Sequence, residues 1–372
     1  MKIAVYAICR NESKFIDRWA RTVQAADEVV VLDTGSDDGS ADLLRERGIR
    51  VHEEQITPWR FDEARNRSLA LVSEDADACL CLDLDETLCD GWRQAIERAF
   101  HDCDQLEYPY VWSFNPDGSD GVTFFAAKVH ARHGFTWVHP VHEVLSCNHA
   151  PRIVRTPALR IEHHPDPGKS RAQYLPLLEL SVREDPHSDR NMHYLGREYL
   201  FHGRYQECID TLKRHVRMPE ATWADEKSAS FRYMARAYQA LGQADEAERC
   251  LLHAAALAPS LREPWVALGR LYYARRDWGG TAFCMRRATG IEKRPATYIS
   301  EPESWGALPW DLLSLADYYL GLRAQAVEAV HRAIELAPGD ERLRDNLRLM
   351  QDGVSQGTEE ARPRTEDGAT AR

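Results

Sequence analysis

No stretch of this 372-residue chain approaches the roughly 20 consecutive apolar residues that a membrane-crossing helix needs, so a bilayer-spanning role is not expected. The opening MKIAVYAICRNESKF is only a short apolar stretch, interrupted at Arg10, Asn11 and Glu12. It lacks the longer apolar region and small-residue cleavage site of a secretory leader, and the expectation is a cytoplasmic protein. No run of five like charges occurs, and the formal net charge is −12, which argues against nucleic acid as the main partner. The nine cysteines are scattered and odd in number; the one tight pair, Cys79 and Cys81, has no second pair at zinc-site spacing. Reduced cysteines in a core are therefore expected. What is present is ordinary globular material, 44% hydrophobic and 28% charged, over a length sufficient for two domains.

The first half alternates short β-branched runs with helix-like segments. Lys2 to Ile8, Glu28 to Leu32, Arg50 to Glu54 and Ala78 to Leu82 read as strands; Glu12 to Gln24 and Phe61 to Val72 read as helices. Ser40 is placed to cap a further helix through Leu43 to Arg47. Such alternation implies an α/β domain with a mostly parallel sheet flanked by helices. From about Tyr108 to His164 the pattern changes to aromatic-rich, broken strands that would complete this domain. Pro165 and Pro167 then introduce a helical stretch to about Glu184.

The second half is repetitive. Trp265, Leu268, Gly269 and Tyr272 match the W-x2-L-G-x2-Y opening of a tetratricopeptide (TPR) unit. The frame recurs as Met192, Leu195, Gly196, Tyr199; as Phe231, Met234, Ala235, Tyr238; and as Leu312, Leu315, Ala316, Tyr319. Tyr238 and Tyr272 are 34 residues apart, the TPR period, while the other spacings of 39 and 47 require inserted loops, notably Lys293 to Trp310. Pro219, Pro259 and Pro338 close three units, and Leu343 to Met350 would be a capping helix. The expected organisation is an α/β domain over 1–168, a helical linker over 169–186, an all-α TPR superhelix over 187–352 and a disordered tail over 353–372.

Two acidic motifs fall at strand ends, where ligands of parallel sheets bind. Asp83-Leu84-Asp85-Glu86 follows the apolar run ACLCL, and a D-x-D turn can hold a divalent cation against a diphosphate. Asp33-Thr34-Gly35-Ser36-Asp37-Asp38-Gly39-Ser40 supplies a carboxylate and a flexible loop, but carries no Gly-Lys-Ser/Thr and is no P-loop.

The ordered set ICRNE, VVVLDTGSDDGS, FDEARNRSL and CLDLDE resembles the GT-A domain of family 2 inverting glycosyltransferases, in particular the bacterial branch with attached TPR repeats that includes peptide bacteriocin glycosyltransferases. The resemblance implies a UDP- or GDP-sugar donor, Mn²⁺ or Mg²⁺, and a peptide, protein or glycan acceptor. It implies that Asp33 contacts the nucleobase or ribose, that Arg10, Arg65 and Asn66 belong to the nucleotide-sugar pocket, that Asp83 contacts ribose and metal, and that Asp85 is the principal metal ligand. Trp137-Val138-His139-Pro140-Val141-His142-Glu143 is similar to the family's W-x-G-x-V-H-E segment, with His139 and Pro140 departing from its glycine-containing middle. Glu143 would be the catalytic base and His142 would orient it or bind substrate. His163, in preference to His164, would complete the metal site. Lys169 and Arg171 would neutralise phosphate. The repeats would recruit the acceptor or form a homodimer.

Two other readings fit parts of the sequence. LDLDETL also matches the nucleophile motif of haloacid-dehalogenase-type phosphatases, with Asp83 as nucleophile, Asp85 as acid, and Ser113 and Lys128 as nominal partners. Alternatively, the protein is a TPR adaptor whose first domain binds a nucleotide sugar without catalysis.

Overall fold

The computed structural model describes residues 1–115, 117–166, 168 and 172–352. Lys169, Arg171 and the expected tail lie outside them. The chain forms two compact units, Met1–Asn191 together with Ala296–Tyr298, and Met192–Pro295 together with the chain from Ile299.

In the first unit the expected alternation appears as β1 (Ile3–Cys9), α1 (Ser13–Thr22), β2 (Glu28–Asp33), α2 (Ser40–Glu46), β3 (Arg50–Glu53), α3 (Phe61–Ala70) and β4 (Ala78–Cys81). After it come β5 (Glu86–Leu88), α4 (Trp92–Ala99), β6 (Gln105–Val111), β7 (Thr123–Ala131), β8 (Phe135–Val138), β9 (Val144–Cys147), β10 (Ile153–Arg155), β11 (Ile161–His163) and α5 (Tyr174–Glu184). The sheet order is β3-β2-β1-β4-β7-β6-β11-β5, with β10 also against β6, and β8–β9 forms a separate hairpin. β3, β2, β1 and β4 are parallel, whereas β7 runs antiparallel to both β4 and β6. The expectation of a mostly parallel sheet therefore holds for the first four strands and gives way to a mixed sheet beyond them.

Both faces of β1 are covered. Ile3, Val5, Ala7 and Cys9 pack in one cluster with Ile16 and Trp19 of α1, while Ala4 and Tyr6 pack on the other face with Leu69 and Val72 beside α3. This is the period-two alternation of a strand buried on two sides. A buried polar chain crosses the second face: the Trp137 indole N–H donates to the Tyr6 hydroxyl (2.8 Å), which pairs with His130 Nε2 (2.7 Å), and His130 Nδ1 reaches the Ala131 carbonyl (2.8 Å). One proton direction satisfies every member, from indole to phenol to imidazole to carbonyl.

Ser40 does not cap α2. Gly39, at φ 84°, stands at the cap position, and the Ser40 hydroxyl donates to Asp38 Oδ1 (2.5 Å) and accepts from the Glu12 N–H (2.9 Å).

The second unit consists of helix pairs α6 (Asp189–Phe201, its first three residues assigned to the first unit) with α7 (Tyr205–His215), α8 (Ala224–Ala240) with α9 (Ala244–Leu257), α10 (Arg262–Ala274) with α11 (Trp278–Thr289), and α12 (Leu308–Tyr319) with α13 (Arg323–Leu336), followed by α14 (Glu341–Asp352). The four sequence frames fall on the first helix of each pair. Their small residue is where the paired helix comes closest: a Cβ on Gly196 would lie 2.3 Å from Leu212 Cδ2, and one on Gly269 would lie 2.1 Å from Met285 Cε and 3.0 Å from Cys284 Cβ. Ala235 and Ala316 occupy the same position in the other two pairs and are fully buried.

Two outcomes are expected. Gly269→Leu overpacks the α10–α11 contact and costs about 1–3 kcal/mol in denaturant unfolding, whereas Gly269→Ala, the residue used in two sister repeats, costs less because its Cβ chiefly displaces the movable end of Met285. Burial lowers the pKa of His130 to about 4, against the opposing hydrogen bond to Ala131. A group held neutral in this way stabilises fully above its unfolded pKa of about 6.5 and loses that contribution as pH falls from there toward 4, an effect on the order of 3 kcal/mol. The parent should therefore lose more stability than His130→Gln between pH 7 and 4.5; equal slopes would count against the assignment.

Candidate functional site

The strand order reverses between β1 and β4, so the crevice beyond their carboxyl ends is where a sheet of this kind holds a ligand. Arg10, Asp33 and Asp83 stand just at or beyond the ends of β1, β2 and β4.

The first two motifs are bonded to each other. The Asp33 carboxylate is taken up by its own loop, accepting from the Gly35 and Ser36 N–H groups (3.0 and 2.8 Å) and the Ser36 hydroxyl (2.5 Å). The Ser36 hydroxyl oxygen accepts from the Asn11 N–H (2.9 Å), Asn11 Oδ1 accepts from the Asp37 N–H (2.9 Å), and Asp38 Oδ2 accepts from the Ser13 N–H (3.0 Å). Partial burial pushes Asp38 up, but the hydrogen bonds of Ser40 and Ser13 outweigh it and hold the carboxyl at about 2. Arg10 is exposed and forms no hydrogen bond or ion pair among the described residues.

Arg65 is the centre of the third and fourth motifs. Its guanidinium makes a two-pronged pair with Asp83, Nη1 to Oδ1 at 2.7 Å and Nη2 to Oδ2 at 3.0 Å, while Nε donates to Glu143 and the cation lies 5.1 Å from the Trp137 ring centroid. Lys128 Nζ also donates to Asp83 Oδ2 (3.0 Å) and to Glu86 Oε1 (2.6 Å). Burial alone would raise Asp83, but the two cations outweigh it and hold the carboxyl far below its ordinary range. Glu86 is raised by burial, only partly offset by Lys128, with Asp83 and Asp85 adding to the rise; it accepts from the Tyr110 hydroxyl (2.6 Å) and the Asp83 N–H (3.0 Å). Asn66 is committed to backbone: its amide accepts from the Trp137 N–H and donates to the Trp137 carbonyl, both at 2.8 Å.

Among the described residues, Asp85 is the carboxylate of the motif that no lysine or arginine clamps. Its Oδ2 lies 3.5 Å from His163 Nε2. His163 Nδ1 faces the Trp112 carbonyl at 3.1 Å and its ring stacks on the half-exposed Trp112 with centroids 4.3 Å apart. A carbonyl can only accept, so Nδ1–H donates to it and Nε2 is the ring nitrogen turned toward Asp85, the nitrogen a histidine so oriented would offer to a metal. Burial lowers the His163 pKa, but the Asp85 contact outweighs it and the net shift is upward. His164 turns elsewhere, toward Thr87 Oγ1 (3.2 Å) and the Phe114 ring. The structure thus brings Asp85 and His163 together and gives Asp83 to Arg65 and Lys128; as arranged, Asp83 is not an available metal ligand.

The remaining expected residues flank this centre. Glu143 is held by Arg65, which is the structural ion pair its position also permits. His142 lies edge-on to Tyr174, with ring centroids 5.8 Å apart. His139, standing where the similar segment carries glycine, has φ 78°, and His142 has φ 52°; both backbones are left-handed, a conformation glycine adopts without strain. Ser113 Oγ accepts from the Val122 N–H, so only Lys128 of the two nominal phosphatase partners reaches Asp83.

Sequence reasoning missed Arg18 and Trp112. Arg18 projects from α1 with Nε and Nη2 buried and without a hydrogen bond. Burial lowers its pKa, and the charge of Asp85 opposes that shift, which places the guanidinium within electrostatic reach of the acidic motif. One arginine on an amphipathic helix gives no sequence signal.

A scan against models of protein families matches none. A TPR repeat-containing protein of Synechococcus elongatus is 29% identical over 115 residues, covering 30% of this chain and 26% of that protein, so the chain spans about a quarter of that relative. Solved structures that resemble it include MamA (18% identity, TM-score 0.36, 44% of this chain and 86% of that one). A thermophilic TPR protein of Thermus thermophilus gives 18%, 0.32, 48% and 88% in the same order. YrrB, described as a TPR protein with an unusual peptide-binding site, gives 16%, 0.36, 48% and 82%. The paired helices of the second unit, with the small-residue contact of the repeat at each crossing, make it a TPR-type array.

Arg65→Met would leave Glu143 without its cation, and Asp83 with Lys128 alone, in a largely buried site. A loss of about 3–5 kcal/mol in urea unfolding is expected, with Arg65→Lys intermediate because it cannot make the two-pronged contact.

Proposed function

We propose that the first unit binds a nucleoside diphosphate sugar with a divalent cation and transfers the sugar to an acceptor, and that the repeats recruit a peptide or protein acceptor. The observation that carries this reading is the approach of His163 Nε2 to Asp85 at the carboxyl-end crevice of the sheet, within electrostatic reach of the Arg18 guanidinium and its buried, unbonded Nε and Nη2. A carboxylate oxygen and an imidazole nitrogen sharing an octahedral cation with bonds of 2.0–2.1 Å stand about 3 Å apart, so the observed pair fits Mn²⁺ or Mg²⁺ with a small adjustment. Asp85 and His163 would hold the ion, which supplies charge neutralisation for the departing diphosphate.

The chain's own groups account for the rest. Arg18 can donate to phosphate oxygens from a partly buried position, where such bonds are stronger than in water. The loop from Asp33 to Ser40 is rigidified by its bonds to Asn11 and Ser13, which preforms a wall beside the sheet. Arg65 and Lys128 hold Asp83 ionised beneath the site. Glu143 is the expected base, and to take a proton from an acceptor it would have to act through the oxygen not engaged by Arg65. That clamp favours the second reading, a TPR adaptor or scaffold whose first unit binds the ligand without turnover.

The full-length protein should be titrated with UDP- and GDP-sugars, with and without Mn²⁺, following thermal stabilisation and donor hydrolysis. A donor at a hundred times its Kd should stabilise by about 2.7 kcal/mol, only with metal, and Asp85→Ala or His163→Ala should abolish this. Arg18→Met should weaken binding roughly 10–100-fold. Metal-dependent binding without transfer to any acceptor favours the scaffold. No nucleotide binding, together with hydrolysis of a simple phosphomonoester that Asp83→Asn stops, would overturn the proposal.

A further inference from the structure

The second unit buries a group of side chains that repeat packing does not require. His193 on α6, His215 at the end of α7 and Glu226 on α8 are 0, 0 and 5% exposed, and one potential ligand atom from each lies within 4.8 Å of the others. Ser230, one turn beyond Glu226 on α8, is also fully buried, and its hydroxyl contacts Nδ1 of both rings, at 2.7 Å for His193 and 3.0 Å for His215. His215 Nε2 then faces Glu226 Oε1 at 3.4 Å but is buried without a hydrogen bond.

An imidazolium buried against a carboxylate would direct its N–H along that line and bond; this pair does not. If His215 Nε2 carries no proton, its lone pair and the carboxylate oxygen face each other across a gap that a shared cation would make favourable. The separation is that of two ligands on a tetrahedral ion, which with bonds of 2.0–2.1 Å stand about 3.4 Å apart. A serine hydroxyl can accept two N–H donors, so Ser230 can hold both rings in the tautomer that offers Nε2, as the outer partners of metal-binding histidines do.

We infer that His193, His215 and Glu226 form a structural site for a tetrahedral divalent metal, Zn²⁺ foremost, that ties three successive helices of the array together. Two imidazoles and one carboxylate are a zinc-type donor set; structural zinc usually has a fourth protein ligand, and here water would take that position. The acidic site of the first unit shares none of these residues, so the inference stands independently of the proposed transferase activity.

The test uses the full-length chain with Asp85→Ala, which removes the principal ligand of the other site. After chelator dialysis and re-equilibration with zinc, elemental analysis should find one tightly held equivalent, and Co²⁺ in its place should give the intense visible spectrum of tetrahedral cobalt. Glu226→Gln should lose the equivalent. Ser230→Ala retains all three ligands and should weaken zinc roughly 10–100-fold, measured against a competing chelator. If Glu226→Gln loses its helical circular dichroism, Ser230→Ala decides. The inference is overturned if the Asp85→Ala chain takes up no stoichiometric zinc, or if a folded Glu226→Gln and Ser230→Ala both bind it as tightly as the parent.

Discussion

A guanidinium taken out of water costs several kcal/mol unless its partners are well placed, and the first unit is arranged around one such group. Arg65 projects from α3, receives Asp83 from the end of β4 and Glu143 from the turn before β9, and lies over Trp137 of β8. Each partner comes from a different part of the chain; without the arginine Glu143 would be a buried, uncompensated charge and Asp83 would keep Lys128 alone. The site's geometry follows: because Arg65 and Lys128 occupy Asp83, the second aspartate of the motif turns toward His163. The two carboxylates of Asp83-Leu84-Asp85 thereby differ in their partners, one held by two cations and the other lying against His163.

The glycine- and serine-rich loop after β2 shows the same division of labour. Its side chains look from the sequence like a ligand-contacting set, yet their hydrogen bonds are made within the loop itself and to Asn11, Glu12 and Ser13 where β1 passes into α1. What the loop offers outward is a fixed backbone and the exposed Arg10 rather than a cluster of free carboxylates.

Much of the fold was legible because it is written in periodicity: β1 alternates its two buried faces, and each repeat announces itself by a small residue three positions before its tyrosine, at the helix crossing. The mixed half of the sheet was not, because short strands such as Glu86–Leu88 and Ile161–His163 carry too few residues to show a period or a direction. In the site, the choice of His163 over His164 came from resemblance; what turns His163 Nε2 toward Asp85 is a carbonyl from Trp112, some fifty residues away and invisible in one dimension. Asp33 and Asn66 read as ligand contacts because a carboxylate or amide at a strand end or on a helix has no visible partner in one dimension; in the fold, the loop and the Trp137 backbone claim them. The His193–His215–Glu226 group escaped notice for the same reason, its members lying on three helices without the close spacing of a metal motif.

The contact of Asn66 with Trp137 has a consequence beyond local order. β8 pairs with β9 on one side only, which would leave the other margin of the hairpin with backbone groups able to recruit a strand from a neighbouring molecule. By matching both the N–H and the carbonyl of Trp137, the Asn66 amide imitates one residue of an adjoining strand while belonging to a helix, which cannot be extended into a sheet. A single side chain thus acts as a stopper against intermolecular strand addition, guarding a margin that a larger sheet would cover with another strand.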